Sequence, residues 1–267
     1  MNKKMLKQME RAAITLAREA GARILQVYKT DFEVNKKIDH SPVTEADIAA
    51  HDVINNGLQQ LTPELPILSE EGRLVAFEER KTWQQFWLID PLDGTREFVK
   101  RNDEFAVNIA LIDNHMPVLG VVYAPVTDHM YFASRKNGAY KQEGNAAPRL
   151  IRVRETAEYP IRVAGSHSHG GNKQMERYLE QLGEHSMLSM GSALKACLVA
   201  EGAADIYPRF GPTSEWDTAA AQCILEEAGG ALTDIDMQPL SYNNRESLTN
   251  PSFFAFGDCN KNWAHYL

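Results

Sequence analysis

Two carboxylates three residues apart, Asp90 and Asp93, stand at the end of the apolar run Phe86-Trp87-Leu88-Ile89 and are followed by Gly94-Thr95. The apolar run reads as a short buried strand, and Pro91 and Gly94 turn the chain where the carboxylates emerge. Oxygen donors on a rigid turn suit a hard cation such as Mg²⁺. The next segment, Thr95 to Lys100, is compatible with a helical turn whose first free N–H groups favour a phosphate. A cation site beside an anion site is what phosphoryl chemistry needs. Asp93-Gly94 also fits a hairpin turn, but the charged segment after it lacks the apolar alternation of a returning strand. An EF-hand loop is excluded, because its alternating oxygen ligands and closing glutamate are absent.

Further acids lie at the ends of other elements. Pro66-Ile67-Leu68-Ser69 reads as a strand tip running into Glu70-Glu71-Gly72. Trp216-Asp217-Thr218-Ala219-Ala220 opens an amphipathic stretch that ends at Gly229-Gly230, so Asp217 falls in a helix's first turn. Ser214 to Asp217 fits a capping box, which needs no metal. Thr44 and Asp47, in Ser41-Pro42-Val43-Thr44-Glu45-Ala46-Asp47, precede the helical run Ile48 to Leu61 and pose the same choice. Residue types alone leave cap and ligand both open at Thr44, Asp47 and Asp217.

Taken together and in order, Pro42-Val43-Thr44-Glu45-Ala46-Asp47, Leu68-Ser69-Glu70-Glu71, Trp87 through Thr95 and Glu215 through Ala220 resemble the inositol monophosphatase superfamily of Mg²⁺-dependent, lithium-sensitive phosphatases. The resemblance covers nearly the whole chain. Three more segments resemble the superfamily's 3'(2'),5'-bisphosphate nucleotidase branch: Arg96 to Asn102, Gly191-Ser192-Ala193-Leu194-Lys195, and Tyr207 to Thr213. At Lys195 inositol monophosphatases usually carry a small uncharged stretch. Gly191-Ser192 would cap a helix from Ala193 to Glu201, which read by itself is also an ordinary capped helix with a solvated lysine.

The resemblance implies two or three Mg²⁺ ions. Glu70, Asp90 and the Leu92 carbonyl would hold one; Asp90, Asp93 and Asp217 would hold a second, with Asp90 as the bridge. Glu70 and the Thr95 hydroxyl would orient the attacking water, while Asp47 with Thr44 would support a further ion or a proton relay. Gly94 and Thr95 amides would bind the transferred phosphate; Gly191, Ser192, Lys195 and Arg209 would meet the rest of the nucleotide, with Glu70, Leu92, Asp93 and Asp217 reaching the same ligand. The implied reaction is removal of the 3'-phosphate of adenosine 3',5'-bisphosphate to give AMP, extending to its phosphosulfate relative in sulfate assimilation. An inositol phosphate or another small sugar phosphate is the alternative substrate, and a phosphate-ligand sensor without turnover is a third reading.

The elements that must position these residues follow from periodicity. Helices are expected over Met5 to Tyr28 and Ala46 to Leu61, then strands Pro66 to Ser69, Trp87 to Asp90, Val107 to Ile112, Val118 to Ala124, Met130 to Ala133 and Ile151 to Arg154. Short links between consecutive strands imply a largely antiparallel sheet. From Ile161 strands and helices alternate: strand, helix Lys173 to Leu182, strand Met187 to Met190, helix, strand Ala204 to Tyr207, helix Trp216 to Ala228, then strands Ala231 to Thr233 and Phe253 to Phe256. The expected class is α+β, with an N-terminal half (1–159) carrying most metal ligands and a C-terminal half (160–267) carrying the nucleotide residues and the last ligand. The resemblance implies a layered α-β-α-β-α sandwich of the inositol monophosphatase and fructose-1,6-bisphosphatase type, with the metals in the cleft between halves.

Composition narrows the partners. The chain has 267 residues, 43% of them hydrophobic, enough for one large core or two intimate ones. A net charge of -8 argues against a nucleic-acid surface, which draws on clustered Lys and Arg. Cys197, Cys223 and Cys259 form no CxxC pair, and the first two fit reduced core positions. No apolar run approaches a membrane span and no leader is evident, so a cytoplasmic protein is expected. Lys3, Lys7, Arg11 and Arg18 share one face of the first helix, with Met5, Met9, Ala13, Leu16 and Ala20 on another. That face reads as solvated, with peripheral contact to an anionic membrane as the alternative. His167-Ser168-His169 makes a poor zinc pattern and reads as loop. Oligomeric state is not legible.

Overall fold

The computed structural model describes residues 3–36, 42–166 and 172–267. The chain opens with helix α1 (Lys3–Tyr28), the short strand pair β1 (Asn35–Lys36) and β2 (Pro42–Val43), and helix α2 (Glu45–Leu61). Strand β3 (Ile67–Ser69), a turn of helix α3 (Phe77–Arg80) and the long strand β4 (Gln85–Asp93) follow, then α4 (Thr95–Lys100). A meander completes the first sheet: β5 (Ala106–Asp113), β6 (Met116–Ala124), β7 (His129–Ser134), β8 (Ala139–Glu143) and β9 (Arg149–Ile151). The remainder is β10 (Ile161–Gly165), α5 (Lys173–Leu182), β11 (His185–Ser189), α6 (Leu194–Ala200), β12 (Ile206–Arg209), α7 (Glu215–Glu227), β13 (Ala231–Asp234), β14 (Phe253–Phe256) and a closing 3₁₀ turn (Trp263–Tyr266).

Strands β3 to β9 form one seven-stranded sheet in sequence order, antiparallel throughout except that β3 runs parallel to β4. The second sheet has five strands ordered β11-β10-β12-β14-β13, parallel across β11-β10-β12 and antiparallel beyond. All strands of the first sheet precede Tyr159, and all strands of the second follow Pro160.

Three apolar clusters turn these elements into five layers. Helices α1 and α2 bury Ala13, Ala17, Ile24, Ile54 and Leu58 against Trp87, Ile89, Val107 and Ile109 on the outer face of the first sheet. The opposite face, with Phe86, Leu88, Ala110 and Val122, meets α6 and α7, which also cover Tyr207, Leu232, Phe253 and Ala255 of the second sheet. On the far side of that second sheet, Tyr178 and Leu182 of α5 join Trp263 over Val163, Ile206 and Phe254. Strand β4 is therefore buried on both faces, which is why its sequence is a continuous apolar run instead of an alternation. The result is an α-β-α-β-α sandwich whose central layer comes from the second half and packs into the first.

Several expectations shift. Strand β8 was not anticipated, because Ala139-Tyr140-Lys141-Gln142-Glu143 is polar; Lys141 is nonetheless buried, its ammonium 2.9 Å from Glu201. The expected strand at Ile151 to Arg154 is instead β9, over Arg149–Ile151. On α1 the buried face runs through Leu6, Met9, Glu10, Ala13 and Ala17, while Met5 is exposed and Leu16 is only half-buried. Lys7 pairs with Glu10, and Arg18 with Asp128 and the Gly144 carbonyl, so part of the basic face is engaged within the protein. No helix among the described residues is long and apolar enough to cross a membrane. His167-Ser168-His169 lies outside the described residues, as does Ser41.

The seam between the central helices and the first sheet is tightest at Gly120 of β6, where a Cβ would run into the backbone carbonyl of Ala220 on α7. Backbone cannot yield as a flexible side chain can. Gly120→Ala should therefore destabilise the fold by about 1–3 kcal/mol, seen as a melting temperature lower by roughly 3–10 °C; an unchanged melting curve would show that α7 does not sit this close.

Candidate active site

Strand β4 delivers its carboxylates through an irregularity. The register with β5 runs regularly to Asp90↔Asn108, breaks, and resumes at Asp93↔Ala106. Within the break the Leu92 amide donates to Asp90 Oδ1 (3.1 Å), so Asp90 fixes its own turn while buried at 1% exposure. Gly94 then takes a left-handed conformation (φ 92°), which favours glycine, and caps α4 without a side-chain bond. Beside it the short strand β3 places Glu70, whose amide donates to the Ile89 carbonyl (3.2 Å).

Asp217 comes from the other half on the first turn of α7. Its Oδ2 accepts the Ser214 amide (2.8 Å) in a complete capping box. The carboxylates of Glu70, Asp90 and Asp217 converge, with one oxygen of each within 4.8 Å of the others. Burial and crowding push Asp90 and Asp217 towards the protonated form. Burial first, then Glu70, Asp93 and Asp217, hold the Asp90 carboxyl well above the usual range. Burial and then Asp93 raise Asp217 to about 8, and burial raises Asp93 to about 6 against the opposing pull of Lys195 and the Ala193 amide. Three oxygen donors so crowded, with no ion pair to Asp90 or Asp217 among the described residues, fit a hard divalent cation such as Mg²⁺.

Asp93 stands outside this trio. Its Oδ2 accepts the Ala193 amide at 2.5 Å and the Asn108 side chain at 3.2 Å, binding the first half to the residue that caps α6. The geometry thus groups Asp217 with Glu70 and Asp90, and ties Asp93 across the cleft. Asn108 was not anticipated from the sequence; only its register opposite Asp90 brings it here, and its Oδ1 has no partner among the described residues.

Thr44 and Asp47 form the expected capping box at the start of α2, with Asp47 Oδ2 accepting from the Thr44 amide and hydroxyl, both at 2.7 Å. The other oxygen, Oδ1, accepts from Thr95 Oγ1 (3.1 Å), which also approaches the Leu92 carbonyl (3.3 Å). Cap and site are continuous: a hydrogen-bonded chain runs from Thr44 through Asp47 to Thr95 at the metal turn.

A cavity of about 310 Å³ lies here, lined by Asp93, Gly94 and Asp217 and by Gly191, Ser192, Lys195 and Arg209. Gly191 packs so closely on Glu104 and Glu97 that a Cβ there would collide with the Glu104 carbonyl. Ser192 takes a left-handed conformation (φ 51°), and the residue capping α6 is Ala193, not Gly191 or Ser192 as the sequence suggests; Ser192 Oγ accepts from the Leu194 amide, at 3.4 Å. Lys195 is 5% exposed and not a solvated lysine. Its ammonium donates to the carbonyls of Ser192 (2.7 Å) and Met190 (3.3 Å) and lies over the Tyr207 ring, 5.3 Å from its centroid. Burial pushes its pKa down to about 8, against the opposing pull of Asp93. Arg209 Nη2 donates to the Pro212 carbonyl (3.1 Å), and its Nε is buried without a partner among the described residues. Tyr207, Arg96 and Lys100 also line the cavity; no motif or spacing in the sequence marks them as site residues, and only their segments carry a family resemblance.

A family model described as "Inositol monophosphatase family" matches residues 5–263. The chain belongs to the inositol monophosphatase family. Among its members, the 3'(2'),5'-bisphosphate nucleotidase CysQ of Shigella flexneri is 51% identical over 240 residues, covering 89% of this chain and 95% of that protein. The protein of the same name from Haemophilus influenzae is 38% identical over 263 residues, covering 98% and 96%. The crystal structure of CysQ from Bacteroides thetaiotaomicron superimposes with a TM-score of 0.82 at 39% identity, covering 94% of this chain and 97% of that one. The layered sandwich is this family's fold, and family members are generally metal-dependent, in accord with the carboxylate trio.

The crowded acids set a pH dependence. A carboxyl whose folded pKa lies above its unfolded value of about 4 binds more protons when folded. Stability is then full at low pH and is lost as pH rises through the folded pKa. In chelator, melting temperature should fall between pH 5 and 8, the range set by Asp93 at about 6 and Asp217 at about 8. Asp217→Asn should flatten that slope, and an identical slope in the variant would show that Asp217 is not strained by its neighbours.

Proposed function

We propose that this chain is a Mg²⁺-dependent phosphatase that removes the 3'-phosphate of adenosine 3',5'-bisphosphate, giving AMP and phosphate, and that accepts the corresponding 5'-phosphosulfate. The observation that carries the reading is a single cavity lined by the carboxylates Asp93 and Asp217 and by two cations, Lys195 buried and Arg209 half-buried. A substrate with one phosphate to be transferred and another to be held fits such a pocket; a neutral polyol does not need its cations. The nucleotidase names of the relatives support the same substrate.

Glu70, Asp90, Asp217 and the Leu92 carbonyl would hold the ion, with Asp93 as the outer carboxylate of a second position. Mg²⁺ bound there would supply charge neutralisation at the phosphate and a more acidic water. Thr95 Oγ1 can accept a proton from an attacking water while its own hydroxyl hydrogen passes to Asp47 Oδ1, whose partner oxygen is steadied by Thr44. The Gly94 and Thr95 amides would bind the transferred phosphate. Gly191 leaves room for the nucleotide, and Ser192, Lys195 and Arg209 would hold its remaining anion, the two cations by charge-assisted hydrogen bonds.

Phosphate release should therefore occur from adenosine 3',5'-bisphosphate and not from inositol 1-phosphate, should require Mg²⁺, stop with chelator and decline with Li⁺. Preference for inositol 1-phosphate would retain the metal site and overturn the nucleotide end. Asp93→Asn should cut turnover by about a hundredfold or more with the fold intact; near-normal turnover would remove Asp93 from the site. Lys195→Ala should cost about ten- to a hundredfold on the bisphosphate, the worth of a charge-assisted hydrogen bond, and much less on a small phosphate monoester. Equal losses on both would place Lys195 in a purely structural role.

A further inference from the structure

The lining of the cavity carries more cations than one phosphate requires. A phosphate monoester has roughly 1.5 to 2 negative charges near neutrality, which Lys195 and Arg209 already match. Arg96 and Lys100 line the same cavity as well. They stand four residues apart on α4 and hence on one face of it, where like charges repel. Both side chains are exposed, and neither makes a hydrogen bond or ion pair among the described residues. Glu97, between them in sequence, does not neutralise them. It packs against Gly94 and Gly191 and acts on Lys195. In a chain with net charge -8, two cations on one helix face at a pocket wall, unpaired among the described residues, are a feature that suits an anion.

The geometry points to Arg96 and Lys100 as an outer anion subsite that takes the distal group of an extended 5' anion, a phosphosulfate, and so sets the preference among 3'-phosphorylated nucleotides. The inference rests on the nucleotide reading of the cavity. Its inner cations are deeply seated: Lys195 is buried and bonded to two carbonyls, and Arg209 is half-buried and bonded to one. Such fixed groups define where the first tetrahedral anion sits. Arg96 and Lys100 are exposed and uncommitted, as suits a group that projects further towards solvent. In a phosphosulfate each tetrahedral unit carries a single charge, so the outer pair meets one charge and the inner pair the other.

Binding separates this inference from the reaction. Adenosine 5'-phosphosulfate and AMP both lack the 3'-phosphate, so their dissociation constants can be measured by calorimetry without turnover, for the natural chain and for Arg96→Gln, Lys100→Gln and the double variant. The natural chain should favour the phosphosulfate over AMP. The double variant should reduce that ratio by roughly threefold to thirtyfold, the combined worth of two exposed charge contacts. The natural preference should also shrink as salt rises, and Arg96→Lys should retain most of it. A ratio unchanged in the double variant, or equal losses on both nucleotides, would overturn the subsite. Release of phosphate from adenosine 3',5'-bisphosphate, measured in parallel, tests the functional reading itself: binding preference without release sinks the reaction and keeps the subsite, and release without preference does the reverse.

Discussion

Confined like charge is the constraint around which this molecule is arranged. Glu70, Asp90 and Asp217 bring three carboxylate oxygens within 4.8 Å in a place where burial already penalises the ionised form. Left to themselves such groups would swing apart or protonate. What keeps them together is local bonding: the Asp90 carboxylate accepts the Leu92 amide, that of Asp217 accepts the Ser214 amide, and the Glu70 backbone amide donates to β4. A cluster that costs stability is thus retained by local structure that is itself stable.

Behind that cluster lies a second support. Arg80, buried at 2% exposure, donates through Nη1 to Asn243 Oδ1 and receives the Asn243 side-chain amide on its own carbonyl, both at 2.6 Å. The Asn243 backbone amide in turn donates to Glu215 Oε2 (2.7 Å), two residues before Asp217. The segment that follows Glu70 and the helix that carries Asp217 are therefore tied through one polar knot, although Arg80 and Glu215 are 135 positions apart in the chain. Removing one member would leave a buried charge or amide unpaired, the costly half of such an arrangement.

The motif from Asp90 to Thr95, the helix starts at Thr44 and Ser214 and most of the helices and strands were legible because each is local: a turn, a cap, a period; the order of the layers is not local and came only with the family resemblance. The choice between cap and ligand at Asp47 and Asp217 was not, and the structure shows why the question had no local answer. A carboxylate has two oxygens, and at Asp47 one serves the helix while the other faces Thr95. Asn108 was invisible for a different reason, since nothing in its neighbourhood is polar and only the β4–β5 register sets it beside Asp93. Lys195 was singled out by type, but its burial under Tyr207 follows from the packing of α6 against β12. Strand β8 was missed because its buried lysine is satisfied by Glu201, a residue 60 positions away.

The seat of α7 has one more consequence. Its carboxylate belongs to the second half, yet its body is wedged against the first sheet, with Gly120 conceding the room a side chain would occupy. The two halves share an interior and cannot part like the jaws of a clamshell without tearing that interior open. Opening and shutting of the cleft as rigid lobes is therefore denied to this architecture. Traffic through the pocket must be governed at its rim, by short segments and long side chains that can swing while the frame stays still.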